Sequence, residues 1–225
     1  MIGLNRERKY VLRRYLLLMA GLSVMAFGVA FSIKADLGTS PISSVPYVVS
    51  LFAPLTVGTA TIVMHCVFIL LQILILRKDY HPIQLMQLPV AFFFGYLTDF
   101  GVWAVQGISY GSYWQQWILC LIGILLVAVG VSMEVKAGVV VLAGEGVVLA
   151  ICKVFPVKFG NMKVGFDVTL VATACVLSLL FTGRLQGVRE GTVAAALLVG
   201  QIAKRLGKLM ERWNLEEVEM DVKTK

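Results

Sequence analysis

An aspartate within an apolar stretch is the residue of this chain whose surroundings most demand a chemical explanation. Asp167 lies eight residues after Phe159, which is ~12 Å along a helix and near the middle of a hydrocarbon core about 30 Å thick. An ionised carboxylate at that depth costs roughly 2.5–3.5 kcal/mol, so it must face a partner or water. Lys163, one turn earlier, could form an ion pair with it. Asp167 is therefore either half of a structural ion pair or a group that binds a solute or carries a proton.

His65 precedes Asp167 by 102 residues and lies equally far from the start of its own apolar stretch, at Val57. If the two helices enter a membrane from opposite faces, the imidazole and the carboxylate meet near the midplane. Such a pair would take up and release a proton in the physiological pH range. Alternatively, His65 donates a single hydrogen bond to a neighbouring helix, and the same alternative applies to Gln72.

Two further segments carry polar groups at corresponding positions. Glu145 lies between Gly144 and Gly146, and glycines let backbone approach a ligand closely, so this carboxylate would favour a cationic group or a proton. The segment 102 residues earlier offers a helix N-terminus, which attracts anionic groups, and the hydroxyls of Thr39, Ser40, Ser43 and Ser44. The alternatives are a glutamate that points into solvent and hydroxyls that only cap a helix.

The elements that must position these side chains occur twice in the chain. Residues 17–58 align without a gap on residues 119–160 and share ten identities. The identical pairs are Leu17/Leu119, Gly21/Gly123, Ala26/Ala128, Gly28/Gly130, Val29/Val131, Lys34/Lys136, Ala35/Ala137, Val45/Val147, Pro54/Pro156 and Gly58/Gly160. The first two glycine pairs favour close packing of helices. In a membrane protein, an internal repeat of this size indicates a transporter-like architecture with a site where the halves meet.

Composition predicts an all-α polytopic membrane protein. The chain is 59% hydrophobic and 15% charged, whereas a soluble domain is about a quarter charged. Stretches long enough to span a bilayer lie at residues 15–33, 57–76, 83–105 (with a kink expected at Pro89), 114–135, 159–183 and 188–206. Residues 38–54 and 138–156 contain helix-breaking prolines or glycines and are predicted to be re-entrant half-helices. The predicted fold is six transmembrane helices plus two re-entrant half-helices in an inverted 3+3 repeat.

The distribution of positive charge predicts the orientation. Lysines and arginines occur in a basic N-terminus (residues 1–14), after the second and fourth spans, and near the C-terminus, so both termini are predicted to be cytoplasmic. The first membrane repeat would cover residues 15–105, the second residues 113–206, and an amphipathic, charged cytoplasmic tail residues 207–225. Eight full spans would instead place Arg77, Lys78 and Lys136 outside, which fits the charge distribution less well.

Several function classes have no support in the sequence. The cysteines stand singly in apolar stretches without a C-x-x-C pair, which predicts neither a metal site nor a disulfide; they are Cys66, Cys120, Cys152 and Cys175. The chain has a net charge of +7, but its lysines and arginines flank apolar stretches and do not form a basic patch. No nucleic-acid partner is therefore expected. There is no HExxH, no phosphate-binding glycine loop and no defensible Ser/His/Asp order. We therefore expect no enzyme and no cofactor.

The chain contains four short glycine-rich motifs: Leu37-Gly38-Thr39-Ser40-Pro41, Thr56-Val57-Gly58-Thr59-Ala60, Phe159-Gly160 followed by Asp167, and residues 191–200, which begin Gly191-Thr192. These motifs resemble those of the YczE/YitT-related family of bacterial integral membrane proteins. The resemblance covers nearly the whole chain except about the last twenty residues, and it implies a bacterial inner (plasma) membrane location and a transporter-like fold. One departure is that the first half has Leu85-Met86-Gln87 where the second has Gly191-Thr192.

Two functions follow from these observations. The first is a carrier that moves a small solute by alternating access, with or without proton coupling, in which Asp167, Glu145 and His65 form or couple to the site. The second is a non-transporting accessory protein that holds a partner enzyme or envelope complex, because Ile202, Leu206, Leu209 and Trp213 recur at helical spacing beside basic residues. Because a six-span monomer of 24.6 kDa encloses only a narrow cavity, the sequence also leaves a homodimer open.

Overall fold

The chain is helical throughout the part that the structure describes. The computed structural model describes residues 2–210, with side chains from residue 11 onward, and within those limits it contains no strand. The helices are α1 (Ile2–Ala35), α2 (Pro41–Phe52), α3 (Val57–Leu76), α4 (Gln87–Ala104), α5 (Tyr113–Ala137), α6 (Ala143–Val154), α7 (Phe159–Thr182) and α8 (Glu190–Met210). Two 3-10 turns, Arg77–Asp79 and Pro82–Met86, join α3 to α4. Trp213 and the predicted tail beyond it lie outside the described residues.

Five stretches are long and apolar enough to cross a bilayer, which identifies a membrane-embedded, all-helical protein. They are Val11–Ala35, Val57–Asp79, Pro82–Ala104, Tyr113–Ala137 and Phe159–Thr182. The predicted sixth span falls on α8, which is not among them because Lys204, Arg205 and Lys208 occupy its last two turns. The N-terminal segment predicted to precede the first span belongs to the same helix as that span, since α1 begins at Ile2.

The prolines begin helices more often than they break them. Pro41 is the first residue of α2, where its missing N–H is not needed. Pro89 occupies the first turn of α4 and leaves that helix unbroken, which explains why no mid-span kink arises there. Pro46 lies inside α2, yet the helix continues on both sides of it. The segment predicted to be broken repeatedly is therefore one helix of 12 residues.

Helices α1 and α5 cross antiparallel at two pairs of glycines. Gly21 faces Gly130 and Gly28 faces Gly123, so closely that a Cβ at Gly130 would lie 2.6 Å from the carbonyl oxygen of Gly21. A Cβ at Gly123 would likewise lie 2.8 Å from the carbonyl oxygen of Gly28. Only glycine allows the two backbones to approach this far, which is the small-residue packing used between helices in lipid.

The helix bundle has two ends, which we name after one residue each. At the Arg14 end, Arg14 Nε donates to the carbonyl oxygen of Ala137 at 2.6 Å and ties the start of α1 to the end of α5. At the Asp36 end, Arg189 Nη1 donates to the carbonyl oxygen of Asp36 at 2.8 Å and ties the start of α8 to the end of α1. Helices α1, α4 and α7 run from the Arg14 end to the Asp36 end, and α3, α5 and α8 run back.

The two short helices lie between the long ones. Helix α2 packs against α7 and α3, and α6 packs against α3 and α7, while α1 packs against α4 and α5 against α8. The resulting core between α3, α6 and α7 contains Phe68, Val147 and Leu170. This arrangement brings the polar residues at the start of α2 and of α6 inside the bundle.

Candidate functional site

Three of the residues predicted from sequence lie together at the Arg14 end. Lys163 Nζ donates to Asp167 Oδ1 at 2.5 Å, one turn apart on α7, as the spacing predicts. Glu145, in the first turn of α6, lies close enough to interact electrostatically with both of them. The ion pair is about a quarter exposed, so it stands at the edge of the bundle and not in its middle.

Glu134 is a buried acid in the last turn of α5 that is not among the site residues predicted from sequence. Its side chain is 2% exposed, and Oε1 accepts a hydrogen bond of 2.8 Å from the backbone N–H of Leu142. It also lies close enough to Glu145 for the two carboxyl groups to repel each other. The signal in the sequence was the repeat itself, because the position 102 residues earlier is also polar, Ser32. The structure buries both side chains.

His65, Ser40 and Ser43 line a separate cavity in the centre of the bundle. Its volume is about 30 Å³, close to the ~30 Å³ that one water molecule occupies in the liquid. His65 is 1% exposed, and its Nδ1 has no hydrogen-bond partner among the described residues. Leu142, which follows the α5–α6 link, forms part of the same wall. The cavity is therefore small, and its polar lining residues Ser40, Ser43 and His65 are buried.

The structure does not join His65 to Asp167. The His65 ring packs beside those of Phe68 and Phe94, with centroids 6.3 and 6.2 Å away. Phe68 in turn contacts Phe166 of α7 at 5.4 Å, so aromatic rings stand in series from His65 to α7. Asp167 is bound to Lys163 instead.

Thr39, another predicted site residue, belongs to the Asp36 end. Its backbone N–H donates to the carbonyl oxygen of Gly187 at 3.1 Å. Its hydroxyl is buried and has no partner among the described residues. Thr39 therefore lies where the α1–α2 link closes against the segment before α8.

A larger cavity, the end cavity, opens at the Arg14 end. It has a volume of about 320 Å³ and lies between the end of α3, the turn before α4, the α5–α6 link and α6. Its polar side chains are Gln72, Gln84, Gln87 and Lys153, and the rest of its wall is apolar side chains and backbone. Gln72 was predicted from sequence only to form a hydrogen bond to a neighbouring helix, which it does. The other three were not predicted as site residues, because an isolated glutamine or lysine carries no motif.

Two buried glutamines hold the inner wall of the end cavity. Gln72 Nε2 donates to Gln87 Oε1 at 2.9 Å and to the carbonyl oxygen of Ala143 at 3.1 Å. Gln87 Nε2 returns a bond of 3.3 Å to Gln72 Oε1. These bonds tie α3 to α4 and to the start of α6, and they leave one N–H of Gln87 for another partner. Gly146 lets α6 approach, since a Cβ there would lie 2.6 Å from Gln72 Oε1.

Replacing Gln72 by leucine is expected to lower the free energy of unfolding by about 1–2 kcal/mol, because the Ala143 carbonyl and the Gln87 amide lose their partners. Changing Gln87 to leucine as well should recover part of this loss, since the coupled pair is then removed together. Thermal unfolding of the single and double variants in detergent tests this. Strict additivity of the two substitutions would contradict a coupled pair.

Comparison with known proteins places the whole membrane region in one family. A family of unknown function, DUF6198, matches residues 12–208. The chain belongs to this family. The match includes both glycine pairs of α1 and α5 and every lining residue of the two cavities in this DUF6198 protein. No curated protein and no solved structure matches the chain.

Proposed function

We propose that this DUF6198 protein is a carrier that moves a small solute by alternating access. In this proposal α1–α4 and α5–α8 are two inverted copies, each with three spans and one re-entrant half-helix, α2 or α6. The YczE/YitT-like motifs favour a bacterial plasma membrane, and the positive charges favour cytoplasmic termini. The Arg14 end then faces the cytoplasm.

The helix boundaries support the duplication. Helices α2 and α6 are both 12 residues long and begin 102 residues apart, at Pro41 and Ala143. Helices α3 and α7 begin at the same spacing, at Val57 and Phe159. The antiparallel glycine contacts of α1 and α5 relate each half to the other as a two-fold axis would, which is the relation expected of inverted copies.

The observation that carries the proposal is a difference between the two ends of the bundle. Segments that are joined by backbone hydrogen bonds at the Asp36 end have counterparts at the Arg14 end that line a cavity. At the Asp36 end, Gly191 N donates to the carbonyl oxygen of Leu37 at 2.7 Å, and Thr39 N donates to that of Gly187. Gly38, whose φ of 93° suits glycine, packs against the backbone N–H of Arg189. The α1–α2 link is thus sealed against the start of α8.

At the Arg14 end, no backbone hydrogen bond joins the corresponding segments, both of which the structure describes. Residues 139–141 of the α5–α6 link correspond to residues 37–39, and residues 84–87 correspond to residues 186–189. Both segments line the end cavity. If each half adopted the other's conformation, the Arg14 end would close and the Asp36 end would open. That exchange is the simplest form of alternating access in inverted repeats.

One substitution between the halves predicts which conformation is preferred. At the 102-residue spacing of the repeat, the residue that corresponds to Gly191 is Pro89, four residues after the Leu85 at which the motif comparison begins. Proline has no N–H to donate to the α5–α6 link. Closure of the Arg14 end therefore lacks the counterpart of the Gly191–Leu37 hydrogen bond. We infer that the conformation open at the Arg14 end is the more stable one when no solute is bound.

Glu134 is the group best placed to control the movement. Glu134 Oε1 accepts a hydrogen bond from the backbone N–H of Leu142, at the junction of the α5–α6 link and α6. This link must shift if the end cavity closes. Residues 139–141 face the end cavity, whereas Leu142 faces the central cavity. The link therefore separates the two cavities, and its movement would connect or divide them.

Single cysteines in a background without the four native ones test the proposal in proteoliposomes. Leu149→Cys, in the wall of the end cavity, should react with a membrane-impermeant thiol reagent from the cytoplasmic side alone. Ser43→Cys, at a buried position of the central cavity, should react slowly and from both sides, because the conformations exchange. Strictly one-sided reaction of Ser43→Cys, together with no flux for a broad solute panel, would rule out a carrier.

The accessory-protein alternative predicts a different pair of phenotypes. A carrier should lose flux with Glu134→Gln, the position proposed to control the α5–α6 link, and keep it when residues 216–225 are deleted. A scaffold should keep its cellular phenotype with Glu134→Gln and lose it on deletion of the tail. The second pattern would replace the proposal.

A further inference from the structure

We propose that the end cavity binds a small organic anion, a carboxylate that also carries a hydrogen-bond donor. The inference rests on the proposed function for its physiological meaning, since the anion would be the transported solute. Its physical basis is separate and lies in the charge, the unused polar groups and the size of the cavity.

The charge at the cavity favours an anion. Lys153 is the one charged residue among the described residues that line it, and its Nζ contacts the carbonyl oxygen of Asp79 at 3.4 Å, a long and weak bond. Arg77 and Lys78 follow directly after Leu76 of the cavity wall, and with Lys153 they outnumber the neighbouring carboxylate of Asp79. Glu134 and Glu145 lie at the same end but do not line the cavity. A cleft with apolar walls strengthens such a field and attracts negative solutes.

The amides supply positions for the polar groups of the solute. Gln84 Oε1 is buried and has no hydrogen-bond partner among the described residues, so it requires a donor. The second N–H of Gln87 is free to donate, because its other bonds are reciprocal with Gln72. A solute with a carboxylate near Lys153 and an O–H or N–H near Gln84 would accept a hydrogen bond from Lys153 Nζ and donate one to Gln84 Oε1.

The size of the cavity excludes large solutes. Its volume of about 320 Å³ equals that of about ten water molecules at ~30 Å³ each. A solute of roughly ten non-hydrogen atoms or fewer would fit. The apolar part of the wall, including Leu76, Ile83 and Leu149, suits a short hydrocarbon portion.

Four probes of similar size separate charge from hydrogen bonding: lactate, propanoate, lactamide and propylammonium. In thermal unfolding of the full-length protein in detergent, lactate should raise Tm most and propanoate less, while lactamide and propylammonium should have little or no effect. Lys153→Gln should weaken lactate binding about tenfold or more, since it removes the charge-assisted bond. Lys158→Gln, an exposed lysine at the same end but outside the cavity, should bind lactate normally.

A second variant tests the amide contact. Gln84→Leu should remove the preference for lactate over propanoate and leave propanoate binding unchanged. Equal stabilisation by lactamide and lactate, stabilisation by propylammonium, no effect of either anion, or unchanged binding in Lys153→Gln would overturn the inference. Anion binding without any flux would leave this site in place and refute the carrier, so the two proposals fail separately.

Discussion

Replacement of Gly191 by alanine is expected to open the Asp36 end and expose Cys120. A Cβ at this position would lie 2.6 Å from the carbonyl oxygen of Leu37 and 2.9 Å from Cys120 Sγ, so the closed contact between the α1–α2 link and α8 must loosen. Overpacking of this kind costs typically 1–3 kcal/mol, and 1.4 kcal/mol corresponds to a factor of ten in population. Since Cys120 is 1% exposed in the closed state, its reaction with an impermeant thiol reagent should become about tenfold faster.

The measurement requires Cys120 as the single thiol, with Cys66, Cys152 and Cys175 changed to serine. Gly200→Ala is the matched control, because a Cβ at Gly200 of the same helix meets no atom within 4 Å. The reagent is applied from the side of the Asp36 end in oriented vesicles. Labelling of Cys120 at the same rate in both glycine variants would show that the Gly191 contact does not hold the Asp36 end closed.

The same contact shows why sequence alone could not reveal the conformation. The spacing of the repeat and the apolar stretches predicted the helices well, and α3 begins and ends at the predicted residues. Residues 37–39 form backbone hydrogen bonds to the start of α8 and the segment before it, whereas residues 139–141 form none to the start of α4. This contrast depends on small differences between the halves. One such difference is that Gly191 of the second half corresponds to Pro89 of the first. Its effect on hydrogen bonding becomes visible only in the structure, where the N–H of Gly191 donates to the carbonyl oxygen of Leu37.

The polar groups were predictable in type but only partly in location. Lys163 and Asp167 form the expected i,i+4 pair because local helix geometry alone brings them together. His65 was expected to meet Asp167 if their helices entered the membrane from opposite faces. Where the His65 ring lies, however, depends on how α3 packs against α4 and α7. In the structure it lies beside Phe68, which contacts Phe166 of α7. Glu134 resembles a solvated span end in sequence and becomes buried because the α5–α6 link folds back over it.

The glutamines of the end cavity illustrate a limit of motif-based reasoning. Gln72 and Gln87 come from different helices, and their pairing follows from the antiparallel packing of α3 on α4. Burying a side-chain amide in hydrocarbon without a hydrogen bond costs free energy. Two glutamines in apolar stretches therefore do predict that each has a hydrogen-bond partner. The sequence cannot say that each is the other's partner or that a cavity adjoins them.

The antiparallel crossing of α1 and α5 should be the contact on which folding depends most. Gly130→Val is expected to lower the free energy of unfolding by about 3 kcal/mol, the upper end of the overpacking range. A Cβ there would lie 2.6 Å from the carbonyl oxygen of Gly21 and 2.7 Å from Met25 Cβ. Because these neighbours are backbone or backbone-proximal atoms, they can yield only if the helices separate.

Gly160→Val provides the matched control, because Gly160 lies in α7, another long apolar helix, and a Cβ there meets no atom within 4 Å. Unfolding of both variants in mixed detergent micelles should show a large loss for Gly130→Val and a change of less than about 1 kcal/mol for Gly160→Val. Equal losses would indicate that general effects of removing glycine from a membrane helix dominate. A loss of stability in Gly130→Val alone would show that the crossing of α1 and α5 is the central contact of the bundle. Any exchange of conformation between the two halves would then have to take place around this crossing.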